Sequence, residues 1–243
     1  MNLVVDIGNS LVKAAVFQET EMLVKTIFPM SDFSEKILEI RNSYPKTGAA
    51  ILSSVIKEVK DEVSLLQENF YFLQLSSNLA LPFKNCYATP DTLGKDRIAL
   101  VAAAVAGFPY KNVLVIDAGT CITFDFKNKK EEYLGGAISP GLEMRFKALH
   151  KFTANLPLLS AEGNVKMIGD STKSSILSGV INGITAEIDG TINAYSSKYE
   201  DLTVIFTGGD QQILSMRLKN SIFANSNFLL EGLNHILEFN KNQ

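Results

Sequence analysis

Short apolar runs that end in a polar or glycine-rich turn recur along the chain. Runs of this length, rich in Val, Leu and Ile, are typical of strands that are buried on both faces of a sheet. The three clearest examples are Leu3 to Val5 before Asp6, 113–116 before Asp117, and 202–206 before Thr207-Gly-Gly-Asp210. The first two runs continue through a small-residue turn into a second apolar segment, so the pattern predicts a β-hairpin at each of these two places.

Apolar residues at helical spacing separate the predicted strands in the rest of the chain. We expect helices at 98–106, from about 171 to 192, and at 227–239. Strands that first follow one another and then alternate with helices indicate mixed sheets with helices on their faces. Asp6 and Asp117 are 111 positions apart (117 − 6), which is a domain-sized period. We therefore predict two lobes, 1–110 and 111–243.

The turn of the first hairpin has residues that suit a metal-bound phosphate. Gly8 lets backbone N–H groups approach phosphate oxygens because it has no Cβ. Asp6 can hold Mg²⁺ through water, and Lys13 can reach a phosphate as a point charge. Asn9 and Ser10 can donate hydrogen bonds. An ordinary hairpin with a Gly-Asn-Ser turn explains the same residues, but the recurrence of the pattern later in the chain favours phosphate binding.

A second stretch with candidate chemistry is 87–98, in which Gly94 precedes an Ala-rich helix. Asp96 and Arg97 therefore stand at a helix entrance. Asp96 could be a capping carboxylate on a solvated first turn. It could instead accept a proton while Arg97 orients an anionic or polar substrate.

The later glycines fall in two groups. Those at 135, 136 and 141 indicate a close approach of two backbones, a tight turn or simple packing. Those at 179 and 183 lie one turn apart in the helix that Thr172 begins, and they permit a close helix crossing, with another subunit as one candidate partner. Thr172 itself could be no more than a part of the helix cap.

Composition and charge exclude several classes of protein. The net charge of −3 and pI near 5.5 give no basic surface for nucleic acid. The two cysteines, Cys86 and Cys121, have no paired spacing, and two histidines are too few for a His-built zinc site. The N-terminal segment does not have the pattern of a signal peptide, and no apolar run is long enough to span a membrane. We expect a reduced, cytoplasmic protein without a membrane or nucleic-acid partner.

Taken together, the motifs resemble those of the type III pantothenate kinases over nearly the whole chain. The matching segments are Asp6-x-Gly-Asn-Ser-x-x-Lys13, Gly94-Lys-Asp-Arg97, Asp117-x-Gly-Thr120, Gly135-Gly-x-Ile-x-Pro-Gly141, Thr153-x-x-Leu-Pro157 and Thr207-Gly-Gly-Asp210. This family belongs to the acetate and sugar kinase, Hsp70 and actin superfamily. The resemblance implies an α/β fold of two ribonuclease H-like lobes, each a mixed sheet flanked by helices, with ATP in the cleft of an actin-like ATPase core.

The resemblance also implies a role for each matching residue. ATP would be bound by Asp6, Ile7, Gly8, Asn9, Ser10, Leu11, Val12, Lys13 and Thr120. Pantothenate would be bound by Tyr87, Gly94, Lys95, Asp96, Arg97 and Thr172, with Asp96 as the proton acceptor. Asp117 would hold a monovalent cation, K⁺ or NH₄⁺, and Asp6 would hold Mg²⁺ through water. Two positions depart from the family pattern, namely Ser10, where Thr is usual, and Ser171, where Asn is expected.

The implied activity is ATP-dependent phosphorylation of pantothenate to 4'-phosphopantothenate, the first step of coenzyme A biosynthesis. A homodimer with the active site at its interface is implied as well. Two alternatives remain open at this point. One is a kinase or phosphatase of the same superfamily with another acceptor, and the other is a catalytically silent regulatory relative.

Overall fold

The computed structural model describes residues 1–9, 11–56, 58–76, 79–162 and 165–241. The chain divides into two compact units. Unit 1 comprises Met1–Pro109, Glu131–Tyr133 and Asn227–Gln243, and unit 2 comprises Tyr110–Lys130 and Leu134–Ser226. These units differ from the predicted lobes 1–110 and 111–243 because the last helix and a short internal segment belong to unit 1.

The described residues form eleven strands and eight α-helices. The strands are β1 Asn2–Ile7, β2 Val12–Gln18, β3 Glu21–Phe28, β4 Ala49–Ser54, β5 Tyr71–Gln74, β6 Lys84–Asn85, β7 Val113–Ala118, β8 Cys121–Lys127, β9 Glu132–Pro140, β10 Thr203–Thr207 and β11 Phe223–Ala224. The helices are α1 Phe33–Ser43, α2 Lys60–Asn69, α3 Lys95–Gly107, α4 Leu142–Lys151, α5 Thr172–Leu177, α6 Gly183–Lys198, α7 Gln211–Ser215 and α8 Phe228–Lys241. None of these helices combines the length and the apolar character that crossing a membrane requires.

Unit 1 contains a mixed five-stranded sheet in the order β3-β2-β1-β4-β5. The first three strands in the chain form an antiparallel meander, and β1, β4 and β5 run parallel to one another. The predicted hairpin at the start of the chain is confirmed, since β1 and β2 are antiparallel neighbours.

Both faces of this sheet are covered, as the continuous apolar run in β1 predicts. Val4 points into a core that α3 and α8 complete, whereas Leu3 and Val5 point into a core shared with α1 and α2. The crossing of α8 over α3 is close at Gly232, where a Cβ would lie 1.8 Å from the carbonyl oxygen of Ala99. Glycine at 232 therefore lets the two helices approach.

Unit 2 contains the strands β11-β10-β7-β8-β9 in that order. The predicted second hairpin is confirmed by the antiparallel pairing of β7 with β8. Alternate residues of β8, namely Ile122, Phe124 and Phe126, point into the core that α4, α5 and α6 cover. The first residues of β9 belong to unit 1, where they pair in parallel with β6.

The glycines at 135–141 prove to be places where two backbones meet. A Cβ at Gly136 would lie 1.6 Å from the carbonyl oxygen of Phe124, and one at Gly141 would lie 2.2 Å from that of Gly119. Gly135 has a φ of 99°, which a residue with a side chain rarely adopts. Close approach therefore explains Gly136 and Gly141, and the positive φ explains Gly135.

The long helix predicted after residue 170 is interrupted. Residues Ser178–Asn182 form a π-helical segment between α5 and α6. The start is as predicted, because Ser171 is the N-cap and forms a capping box with Ser174. The interruption was not predicted, since the apolar spacing continues through it.

Candidate functional site

Three polar side chains form a row across the carboxyl end of the unit 1 sheet. Asp6 of β1 is opposite Lys13 of β2 in the antiparallel pair and opposite Ser53 of β4 in the parallel pair. Side chains two residues apart on a strand point to the same face of the sheet. Each of the three lies two residues from a member of the core beneath α3 and α8, so all three lie on the face that these helices cover. The fold thus brings the predicted Asp6 and Lys13 side by side.

The electrostatics of Asp6 link it to the start of α3. Asp6 is only 8% exposed. Burial raises the pKa of its carboxyl above the ordinary value. The positive charge of Lys13 and, to a smaller extent, the Ser53 hydroxyl lower this pKa, whereas the negative charge of Asp96 raises it further. Asp96 is therefore close enough to Asp6 for their charges to interact. The candidate phosphate-binding residues and the candidate proton acceptor thus lie near each other in unit 1.

The turn between β1 and β2 brings main-chain groups to this edge of the sheet. The Gly8 N–H donates to the carbonyl of Leu11 at 3.1 Å, which closes the turn. Ile7 and Val12 are buried in the core, so only their main chain can contact a ligand. Asn9 and Leu11 are exposed. The predicted ATP contact Ser10 lies outside the described residues.

The second predicted segment forms the entrance of α3. Gly94 is the N-cap, and the Asp96 carboxylate accepts a hydrogen bond of 2.9 Å from the Arg97 N–H. A Cβ at Gly94 would lie 2.4 Å from that carboxylate. Lys95, the first residue of the helix, is half-buried. Asp96 does bind a first-turn N–H, as the capping interpretation expects, but it is also half-buried and near Asp6.

Aromatic rings support Arg97 from the side. Its guanidinium carbon lies 5.5 Å from the centre of the Tyr87 ring, and Tyr87 stacks on Tyr133 with centroids 6.0 Å apart. Arg97 is only 4% exposed. The predicted residues Tyr87, Gly94, Asp96 and Arg97 thus form one cluster in unit 1.

Unit 2 repeats the row of polar side chains around Asp117. Asp117 of β7 is opposite Thr123 of β8 and opposite Thr207 of β10. Gly208 has a φ of 101°, and a Cβ there would lie 2.4 Å from the Asp117 carboxylate. The glycine after β10 therefore lets the main chain pass close to the Asp117 carboxylate.

The turn that follows Asp117 holds Thr120. Thr120 is exposed, and its carbonyl accepts a hydrogen bond of 3.2 Å from the Gly141 N–H. The Asp210 N–H donates to the carbonyl of Ala118 at 2.9 Å. The strand ends carrying Asp117, Thr120 and the glycine pair are thus neighbours within unit 2.

Thr172 is exposed at the start of α5 and does not belong to the capping box of Ser171 and Ser174. It lines a largely apolar groove of about 780 Å³ with Gly179 and Arg145. Arg145 donates to Ser139 Oγ at 3.0 Å and forms an ion pair of 2.5 Å with Glu187. Sequence reasoning did not single out Arg145, because its ion-pair partner Glu187 is 42 positions away in the sequence.

The described residues contain no group of three or more His, Cys, Asp or Glu side chains that could hold a metal ion. A hard cation at Asp6 or Asp117 would therefore take its other ligands from water, main-chain carbonyls or phosphate oxygens. Two features fit such a phosphate-bound cation at Asp6. They are the neighbouring Gly8 turn and the buried hydroxyl of Ser53, which makes no hydrogen bond of ordinary geometry to any described residue.

Comparison with known proteins shows clear relatives. A family model described as type III pantothenate kinase matches residues 2–194. The type III pantothenate kinase of Christiangramia forsetii is 64% identical over all 243 residues and 100% of both chains. That of Flavobacterium psychrophilum is 44% identical, covering 99% of this chain and 100% of the relative.

Solved structures with a similar fold are more distant in sequence. A Campylobacter jejuni protein described as a candidate Baf family transcriptional activator is 23% identical, with a TM-score of 0.68 over 99% of this chain and 100% of the other. A glucokinase from an Antarctic psychrotroph is 13% identical, with a TM-score of 0.58 over 98% of each chain. These likenesses concern the fold alone, and they confirm the predicted mixed α/β fold of the actin-like and sugar kinase type.

Proposed function

The chain belongs to the type III pantothenate kinase family, and from that premise we propose that it transfers the γ-phosphoryl group of ATP to the primary hydroxyl of pantothenate. The products would be ADP and 4'-phosphopantothenate, the first intermediate on the route to coenzyme A. The observation that carries the proposal is the grouping in unit 1 of Asp6 and Lys13 with Asp96. A phosphate-binding edge and a proton acceptor are the two parts that this reaction requires.

The phosphates of ATP would be held by the turn of the first hairpin. Lys13 supplies a positive charge, Asn9 and the main chain of the turn supply hydrogen-bond donors, and Asp6 would bind hydrated Mg²⁺. Ser10 is proposed as a further donor from its place in the sequence. When bound, Mg²⁺ would neutralise charge on the phosphate oxygens. In unit 2, Thr120 is proposed as a contact to ATP because it is exposed at the turn after Asp117.

Asp96 is proposed as the general base. As the pantothenate oxygen attacks the γ-phosphorus, the bond from that phosphorus to the ADP oxygen breaks, and the hydroxyl proton passes to the Asp96 carboxylate. Arg97, Lys95 and the main chain at Gly94 would orient pantothenate, whose carboxylate matches a cationic partner. Tyr87 would complete this side of the pocket and hold the guanidinium in place.

Asp117 is proposed to hold a monovalent cation, K⁺ or NH₄⁺. Its support is the row formed with Thr123 and Thr207, because hydroxyl and carboxylate oxygens suit such a cation. The Thr123 hydroxyl is buried and has no hydrogen-bond partner among the described residues, which leaves it available as a ligand. Gly208 brings the main chain after β10 close to the carboxylate, where a side chain would clash with it.

A homodimer is proposed on the surface of unit 2 that includes Thr172. The groove there is mostly apolar, and the neighbouring segment exposes Met167 and Ile168 by 83% and 82%. This segment is tied to the π-helical region by the hydrogen bond from Ser178 Oγ to the Met167 carbonyl at 2.7 Å. Large exposed apolar patches mark interaction surfaces, and a second copy would place its own Thr172 near this face. Light scattering of the purified protein measures the dimer.

The activity is tested with purified protein, ATP, Mg²⁺ and K⁺, by measuring ADP release with and without pantothenate. Release that depends on pantothenate supports the proposal. Release without pantothenate would instead indicate another acceptor or water, and the absence of any release would indicate a regulatory relative.

The role of Asp96 is tested by Asp96→Asn. We expect kcat to fall by about 10²–10⁴-fold, the usual contribution of a positioned general base. The melting temperature should stay close to that of the unmodified protein. Asp91→Asn is the matched control, since Asp91 is an exposed carboxylate in the short turn before α3. Undiminished turnover by Asp96→Asn would remove Asp96 from the role.

A further inference from the structure

The hydroxyl of Ser53 is buried without a structural partner. Ser53 is 1% exposed, and its Oγ makes no hydrogen bond of ordinary geometry with any described group, although it lies near enough to the Asp6 carboxyl to lower the pKa of that group. It sits beside the Asp6 carboxylate, because the two residues are opposite each other in the parallel pair of β1 and β4. A buried hydroxyl without a hydrogen bond is destabilising. Packing alone therefore does not explain a serine at this position.

The next residue in the chain, Ser54, has a hydroxyl that stabilises the local structure through hydrogen bonds. The Ser54 hydroxyl donates to the carbonyl of Ile56 at 2.9 Å and accepts from its N–H at 3.0 Å. It thereby closes the turn after β4. The same strand accepts alanine at 49 and 50, both fully within the sheet. Alanine at position 53 would thus suit the strand at least as well as serine does.

The same arrangement recurs in unit 2. Thr207 of β10 is opposite Asp117 in a parallel pair, just as Ser53 of β4 is opposite Asp6. Both hydroxyl residues are buried and lie at the carboxyl end of their strands. In both units, therefore, the strand that runs parallel to the aspartate strand carries a hydroxyl residue opposite the aspartate.

We propose that Ser53 is a positioning residue whose hydroxyl fixes the Asp6 carboxylate in the orientation that receives the hydrated cation of a nucleotide. The proposal rests on the function proposed above. Ser53 acts through Asp6 and has no direct contact with the phosphates. As the ion binds, a hydrogen bond donated by the Ser53 hydroxyl restricts the rotation of the Asp6 carboxylate. A carboxylate held in this way loses less freedom when the ion binds.

The first test compares Ser53→Ala with Ser54→Ala. For Ser53→Ala we expect kcat/KM for ATP to fall about 10- to 100-fold, which is the effect of losing a hydrogen bond to a charged group. We expect its melting temperature to be unchanged or raised. Ser54→Ala should show the reverse, with a lowered melting temperature and kcat/KM within about twofold of the unmodified protein. Ser53→Thr keeps the hydroxyl, as Thr207 does in unit 2, and should restore most of the activity.

The second test asks whether Ser53 works through Asp6. The dissociation constant of ATP is measured by calorimetry, with and without Mg²⁺, for Ser53→Ala, Asp6→Asn and the double variant. We expect Ser53→Ala to weaken ATP binding only when Mg²⁺ is present. It should have no further effect once Asp6 is replaced, because a residue that acts through another is not additive with it.

Three outcomes would overturn the inference. They are full kcat/KM in Ser53→Ala, an equal loss of ATP affinity without Mg²⁺, and additive effects in the double variant. These outcomes differ from failure of the proposed function. That failure would appear as a lack of pantothenate-dependent ADP release by the unmodified protein, while the calorimetric cycle would still report whether Ser53 and Asp6 are coupled.

Discussion

Replacing Gly232 with alanine tests whether the packing of α8 sets the position of the proposed proton acceptor. A Cβ at 232 would lie 1.8 Å from the carbonyl oxygen of Ala99 and 2.7 Å from its carbon. Non-bonded atoms are at their optimum about 3.5 Å apart, so the helices would have to separate by about 1.7 Å. The clash is with main-chain atoms, which cannot rotate away as a side chain could.

The expected cost follows from two opposing effects. Overpacking a core costs about 1–3 kcal/mol, and alanine in place of glycine returns about 1 kcal/mol in helix propensity. Because the clash is with rigid main-chain atoms, we take the upper end of the overpacking cost and expect the free energy of unfolding to fall by about 2 kcal/mol. For a chain of this size that corresponds to a fall in melting temperature of about 4–8 °C.

The same substitution should lower activity because α3 carries Asp96 and Arg97 in its first turn. A displacement of about 1 Å at a reacting group can cost about 100-fold in rate. We therefore expect kcat/KM for pantothenate to fall by up to about 100-fold at a temperature where the variant is still folded.

Urea unfolding followed by circular dichroism measures the stability, and the ADP-release assay measures the activity. The control is Gly190→Ala on α6, where a Cβ would meet nothing within 4 Å. It should raise stability by up to about 1 kcal/mol. A Gly232→Ala variant as stable as the unmodified protein would refute the packing argument. A less stable variant with unchanged kcat/KM would refute the link from α8 to Asp96.

Two further predictions concern the aspartates. Burial raises the pKa of Asp6, so its carboxyl binds a proton more tightly in the folded protein than in the unfolded chain. The protonated carboxyl therefore favours the folded state. This contribution to stability is complete below the unfolded pKa and is lost as pH rises through the folded pKa. Asp6→Asn should therefore unfold at higher urea concentrations than the unmodified protein at pH 7, with the difference shrinking toward pH 4; lower stability at pH 7 would contradict this. Gly208→Ala, with a φ of 101° and a Cβ 2.3 Å from the Ala118 carbonyl oxygen, should lose about 2–4 kcal/mol in urea unfolding and require more K⁺ for activity. Gly209→Ala, whose Cβ would meet nothing within 4 Å, is its control, and equal K⁺ requirements in the two variants would count against a cation at Asp117.

Local patterns were enough to predict most of the elements that carry the site. The apolar run predicted at 202–206 forms the strand Thr203–Thr207, and both hairpins form where an apolar run ends in Asp-x-Gly. A helix begins at Thr172 as predicted, with Ser171 as its N-cap. These features depend on residues close together in the chain, so periodicity and capping residues are sufficient to identify them.

Features that depend on distant contacts were not predictable in this way. Nothing near Ser53 in the sequence shows that it is opposite Asp6, because that pairing is set by the register of two strands 47 positions apart (53 − 6). The place of α8 in unit 1 depends on its contact with α3, which its own apolar spacing does not reveal. The π-helical segment at Ser178–Asn182 keeps the apolar spacing of a regular helix and so gives no signal.

The place of α8 has a consequence for how the protein is made. Leu230, Leu233 and Ile236 of this helix fill the core over one face of the first sheet. A ribosome translates the whole of unit 2 before it reaches residues 228–241, so until then the nascent N-terminal segment has α3 but not α8 to cover that apolar face. Chaperones have their longest opportunity to bind there. The N-terminal segment, which is made first, is thus the last to complete its core.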